Sequence, residues 1–149
     1  MEKQKEIVIE TRIGTQSVST EKVIDFPRGL LGFEEHHAFT LLQLRDASPF
    51  LVLQSMDAPN LGFLVADPYT FIDDYPIIIN SADEELLQVN DPSDVAVLVT
   101  VTIPHGRPEN TALNLSGPIL VNRKSRRGVQ MPLVDRNIPS QLYLNVETK

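Results

Sequence analysis

The chain contains no cysteine. Disulfides, thiolate zinc sites, iron–sulfur clusters and cysteine nucleophiles are therefore excluded. Its apolar runs are strand-sized, and none approaches the length of a membrane span. The opening MEKQKEIVIE carries charge but no apolar core, so a secretory leader is not expected and a soluble cytoplasmic chain is. From Asp46 to Gly106 there is no lysine or arginine at all.

What remains is an ordinary globular composition. The 149 residues are 42% apolar, enough to bury a core without staples. That length predicts one domain over residues 1–149. The net charge is −7. The window without bases holds ten acids, among them Asp46, Asp57, Asp67, Asp73, Asp74 and Asp83. Arg107 to Arg136 then carries six bases against Glu109 and Asp135. An acidic face of this kind attracts a basic partner and repels nucleic acid. The bland alternative is a scattered, solvated surface.

Periodicity is mostly two. Strands are predicted over Ile7–Ile13, ended by Gly14, then over Val23–Phe26 and Phe39–Leu44. Phe50–Met56 and Leu61–Ala66 read as a hairpin around Asp57-Ala-Pro-Asn60. Tyr75–Ile79 is a further short candidate. Ser81-Ala-Asp-Glu84 reads as a capping box that starts a short helix, with Leu86, Leu87 and Val89 as its apolar face and Asn90-Asp-Pro92 as its end. Ala96–Ile103 reads as a strand buried on both faces. Thr111–Leu115 and Ile119–Asn122 follow, split by Gly117-Pro118. Arg123–Gly128 reads as a basic hairpin tip. Pro132 demotes the returning Val129–Val134 to an edge or a bulge. With no βαβ alternation, the expected class is mainly β: a small antiparallel β-barrel with one or two short helices.

Five features could carry a function. FPRGLLGF (residues 26–33) matches neither glycine-loop pattern and lacks the lysine and hydroxyl that hold phosphate. It reads as an apolar turn in which Gly29 and Gly32 let Leu30, Leu31 and Phe33 turn inward. The adjacent His36 and His37 point different ways and cannot readily share an ion. The carboxylates fall in turns and a first helical turn, where capping explains them, and no G-x-S-x-G elbow is present. No catalytic residue, metal or cofactor is expected. Arg123, Lys124, Arg126 and Arg127 are the basis of a rival reading as an RNA- or nucleotide-binding protein, but no aromatic stands beside them for base stacking. The loop 68–76 offers Tyr69, Phe71 and Ile72 among Asp67, Asp73 and Asp74. Aromatic anchors inside a charged rim are the usual build of a protein-binding patch.

Taken in order, four blocks resemble the FliW family of flagellar assembly factors. They are Asp25-Phe-Pro with Gly29–Phe33, Pro49–Ser55, Phe63–Pro68 with Tyr75, and Asn114–Asn122 with Arg127–Gln130. They run over nearly the whole chain. Ser116-Gly117 is a small departure, where a more compact link before the proline would be expected. The resemblance implies a non-enzymatic β-barrel with two protein partners, no direct nucleic-acid or membrane contact and no cofactor. One partner is flagellin, held in the cytoplasm through its terminal helical region before export. The other is the CsrA dimer, an RNA-binding repressor of flagellin translation. FliW antagonises it without occupying its RNA groove, and accumulating flagellin reverses that antagonism. On these grounds Asp57, Asp67, Asp73 and Asp74 are expected as acidic contacts and Tyr69, Phe71 and Ile72 as apolar anchors. Leu30, Leu31 and Phe33 are the candidate lining of a flagellin groove, although burial as core competes with that role.

Overall fold

A computed structural model describes residues 5–43, 48–133 and 137–144. The expected strand ends at Leu44 and Val134, and the acid Asp46, lie outside the described residues. Strand and turn chemistry set the first element. Ile7, Val8 and Ile9 give β1 (Glu6–Thr11), and Gly14, at φ 102°, reverses the chain into β2 (Gly14–Ser19). Gly14 therefore begins a second strand that the sequence reading left out. The two form a separate hairpin sheet.

The main sheet starts with β3 (Ile24–Asp25), β4 (Ala38–Gln43), β5 (Phe50–Ser55) and β6 (Gly62–Ala66), an antiparallel run in chain order. After an excursion, β7 (Val95–Thr102), β8 (Ala112–Asn122) and β9 (Arg127–Gln130) continue it. A tenth strand, β10 (Gln141–Tyr143), was not expected; it pairs with the first residues of β8. Because β9 pairs with both β8 and β3, the sheet closes in a ring. The β9 strand is thus the closing strand and not an edge, and Pro132 lies just beyond it. Among the described residues the fold is mainly β, with one α-helix and four single 3-10 turns.

Side-chain alternation sorts the apolar residues into one interior and three exterior clusters. Ile24, Phe39, Leu53, Val65, Leu98 and Ile119, one from each of β3 to β8, pack together with Phe26 inside the ring. The β9 contribution is Gly128. A Cβ there would sit 2.4 Å from Phe26 Cε2, so the aromatic ring occupies the place of a side chain. Outside, the β1–β2 hairpin covers Leu42 and Val52 with Ile9 and Val18. The helix α1 (Ser81–Leu87) covers Leu120 and Val129 with Leu87. The loop after β6 covers Ala66, Val99 and Leu113 with Tyr75.

Other expectations are revised. The helix cap is Asn80, one residue earlier than expected: its side chain accepts from the Asp83 N–H at 2.8 Å, and Ser81 is already helical. The helix stops at Gln88, which is left-handed at φ 56°, before the proline is reached. Tyr75–Ile79 forms no strand; Tyr75, Ile77 and Ile79 pack on the outer clusters and Ile78 is 85% exposed. In β7 only Leu98 and Val99 are buried, and Thr100, Val101 and Thr102 line a groove. The β8 strand is continuous, yet its ladder breaks where the sequence suggested. Between Leu98↔Ile119 and Thr100↔Asn114, β7 advances two positions and β8 five. The bulge spans Gly117-Pro118, and it sends Leu113 and Leu115 to the outer cluster but Ile119 to the interior.

Candidate functional site

At one end of the ring the FPRGLLGF loop folds as two linked turns. The Gly29 N–H donates to Phe26 O at 2.8 Å, and the Phe33 N–H donates to Leu30 O at 2.7 Å. Gly32, at φ 85°, takes the left-handed position of the second turn. Only Leu30 turns inward, at 3% exposure. Leu31 and Phe33 are 52% and 39% exposed, against the expectation that all three point in. The turn is too tight to bury successive side chains on one side. Phe33 instead rests edge-on against Phe63, ring centroids 5.2 Å apart. His37 Nδ1 lies 2.9 Å from Phe26 O, which engages that ring with the main chain. Arg28 reaches away and bridges to the buried carboxylate of Asp83 at 2.6 Å, fixing the loop to α1.

Leu30 and Leu31 form one wall of a groove of about 300 Å³. Phe63 and Leu64 of β6 and Ile119 of β8 add apolar surface. The floor is polar. Asn114 Nδ2 donates to Thr100 Oγ1 and Thr102 Oγ1 at 3.0 and 2.9 Å, and Gln141 Nε2 donates to Asn114 Oδ1 at 3.2 Å. Sequence reasoning missed this ladder. The alternation of Thr100 and Thr102 with Val101 was its visible trace, since alternate positions share a face.

The acidic and aromatic loop leaves the opposite end of β6. The Asp67 carboxylate accepts from the Tyr69 N–H at 2.9 Å and so caps a 3-10 turn. The Tyr69 hydroxyl donates to Tyr75 O at 2.7 Å, and the buried Tyr75 hydroxyl donates to Leu115 O. Phe71 stacks on Phe50 at 6.1 Å, and Phe71 and Ile72 pack on the outer cluster. Tyr69, 44% exposed, is the freest of the three expected anchors. Asp73 and Asp74 are exposed. Ile72, Asp74, Tyr75 and Pro76 border a hollow of about 350 Å³ closed on its far side by Leu115, Ile138 and Leu142. Asp57 is exposed in the turn before β6, so the five-residue strand separates it from Asp67 by ~16 Å at 3.3 Å per residue. The fold does not bring it together with the other three aspartates.

Burial raises the ionisation of Tyr75 well above the usual tyrosine range, and neighbouring Tyr69 adds to the effect. Tyr69 is raised by burial and then by Asp67. A folded-state value above the unfolded one stabilises fully below the unfolded value, near pH 10, and the contribution fades as pH rises from there. Stability should therefore fall above about pH 10, and Tyr75→Phe should flatten that slope while lowering stability at neutral pH by about 1 kcal/mol for the lost hydrogen bond. Urea midpoints measured from pH 8 to 11 check this. An unchanged alkaline slope in the variant would assign the titration elsewhere.

The basic hairpin has a structural occupation. Arg123 Nη2 donates to Ser93 O at 2.6 Å, Arg126 Nη2 to Lys22 O at 2.7 Å and Arg127 Nη1 to Leu86 O at 3.4 Å. Three of the four cationic side chains that suggested RNA thus bind main-chain carbonyls, one of them near the C-terminal end of α1.

Comparison with known proteins agrees along the whole chain. The family model described as FliW protein matches residues 6–144. The flagellar assembly factor FliW of Nitratidesulfovibrio vulgaris strain DP4 is 56% identical over 147 residues, 99% of this chain and 85% of that protein. That of Bacillus pumilus is 38% identical over 141 residues, 94% of this chain and 97% of that protein. A crystal structure of the flagellar assembly factor FliW superposes with a TM-score of 0.85 at 31% identity, covering 97% of this chain and all of that one.

Proposed function

Since the chain belongs to the FliW family, we propose that it is a flagellar assembly factor that binds flagellin and the translational repressor CsrA in the cytoplasm. The observation that carries this is the full-length match to proteins named flagellar assembly factor. The role is binding and not catalysis. Free protein holds CsrA off the flagellin transcript, and translation proceeds. Accumulating flagellin takes the protein, CsrA is released, and translation stops until export frees it again.

Two surfaces support the reading. A repressor that binds RNA presents cationic groups, and the loop with Asp67, Tyr69, Asp73 and Asp74 offers exposed acids beside an apolar hollow. Such charge steers a basic partner and gives specificity. The groove walled by Leu30 and Leu31 has Phe33 beside it, through Phe63, and offers apolar surface for flagellin. Antagonism of RNA is allosteric in this proposal, aided by repulsion between the acidic face and phosphate. Reciprocity then requires RNA to weaken CsrA binding by the same factor.

Asp73→Lys with Asp74→Lys tests the acidic surface. Both side chains are exposed, so the fold should hold. The affinity for CsrA should fall about tenfold or more at low salt, where screening is weakest. Titration calorimetry at low and high salt reads it. Affinity unchanged at low salt removes this loop from the interface.

A further inference from the structure

Between the acidic loop and α1 the chain alternates like a strand but has no partner strand. Tyr75 is buried, Ile77 and Ile79 are half-buried, and Pro76, Ile78 and Asn80 between and after them are exposed. That period of two belongs to an extended chain, and Asn80 at its end is extended, at φ −76° and ψ 165°. No main-chain hydrogen bond joins Ile77, Ile78 or Ile79 to any described residue. Buried main-chain groups are almost always paired, so these three N–H and three C=O groups face water. An extended residue turns its N–H and C=O to one edge, and the next residue turns them to the other. Ile77 and Ile79 therefore share an edge with Tyr75. On that edge the Tyr75 carbonyl accepts from the Tyr69 hydroxyl at 2.7 Å, and the Tyr69 N–H donates to the Asp67 carboxylate. The open edge thus continues from the acidic loop.

We propose that residues 77–79 are a strand-addition site for an extended segment with an apolar centre and a lysine or arginine at the end beside Tyr75. The segment exchanges main-chain hydrogen bonds with Ile77 and Ile79. Its central side chain stands opposite Ile78, points outward with it, and covers a residue that is 85% exposed. An unpaired edge is a template for another strand, and strand addition draws its affinity from such main-chain bonds. Charge selects the occupant. Asp67 is fixed to Tyr69, Asp73 and Asp74 stand exposed immediately before Tyr75, and no lysine or arginine occurs from Asp46 to Gly106. An acidic segment or a nucleic acid is repelled there. The site borders the loop proposed for the repressor, but the inference goes beyond that reading and does not depend on which protein supplies the segment.

Selection of random displayed peptides against the purified chain, with the Ile78→Asp variant as counter-selection, tests it. Ile78 is exposed, and a urea midpoint confirms that the variant is folded. Enriched peptides should have an apolar centre and a basic end. A synthetic winner should slow hydrogen exchange of the Ile77 and Ile79 amides by about tenfold or more and leave the Ile78 amide fast, since that amide points to the other edge. Methylation of alternate main-chain nitrogens in the peptide should cost about tenfold in affinity. Asp73→Lys with Asp74→Lys should weaken it by a similar factor at low salt. No Ile78-dependent enrichment, acidic winners, or a winner that protects Ile78 and not its two neighbours would each overturn the proposal. Failure of CsrA to bind would instead count against the proposed function and leave this result standing.

Discussion

Gly29→Ala is expected to destabilise the protein by about 3 kcal/mol, and Gly32→Ala, three residues on, by only about 1 kcal/mol. Both glycines are left-handed, at φ 67° and 85°. An L side chain there costs ~1–2 kcal/mol in either case. The difference lies in what the new Cβ meets. At Gly32 nothing lies within 4 Å, whereas at Gly29 the Glu34 Cα and carbonyl oxygen stand at 2.6 and 2.7 Å. Those are main-chain atoms of the same tight loop and cannot swing aside. Opening the loop would withdraw Leu30 from the interior and disturb the Arg28–Asp83 pair. Urea denaturation of the two variants reads the contrast. Equal losses would mean that the close approach is not what requires Gly29.

Asn122→Ala should cost about 3 kcal/mol through hydrogen bonds alone. This buried side chain links three elements. Its Nδ2 donates to Leu87 O and Gln88 O at 2.9 and 3.1 Å, holding the end of α1. Its Oδ1 accepts from the Lys124 and Ser125 N–H groups at 2.9 and 3.4 Å, shaping the turn before β9. Alanine leaves Gln88 O and the Lys124 N–H without this partner in a site that is 1% exposed. Leu87 O keeps a second donor, the Ser125 hydroxyl at 2.8 Å, which limits the loss. Asn122→Asp should be at least as damaging, since it sets a buried carboxylate against two carbonyls. Thermal or urea unfolding of both variants checks the order. A benign aspartate would show that the donor to α1 contributes little.

Much of the ring was legible because alternation and turn residues act locally. β4, β5, β6 and β7 all lie within a residue or two of where periodicity put them. Closure was not legible. It depends on β9 meeting β3 through one parallel register pair, Asp25↔Arg127, a contact between residues far apart in the chain. Local pattern also misled at Ser81. Asn80 caps as well as serine, and the backbone turns helical one residue sooner than the capping box implied. At the candidate sites residue types were readable and their assembly was not. FPRGLLGF announced apolar bulk on a turn, but which leucine enters the core depends on the Leu30–Phe33 bridge. The aspartates looked like one set, yet β6 holds Asp57 apart from Asp67, Asp73 and Asp74. Arg28 and Asp83, 55 residues apart, gave no local sign of pairing.

In the proposed function, one protein exchanges between flagellin and CsrA. Labelled CsrA bound to the purified chain and titrated with flagellin checks this exchange, by fluorescence anisotropy with size-exclusion chromatography of the end point. Flagellin should release CsrA in a saturable manner and elute with the chain. A chain that binds neither protein, or that keeps CsrA at unchanged affinity while flagellin is bound, would contradict it.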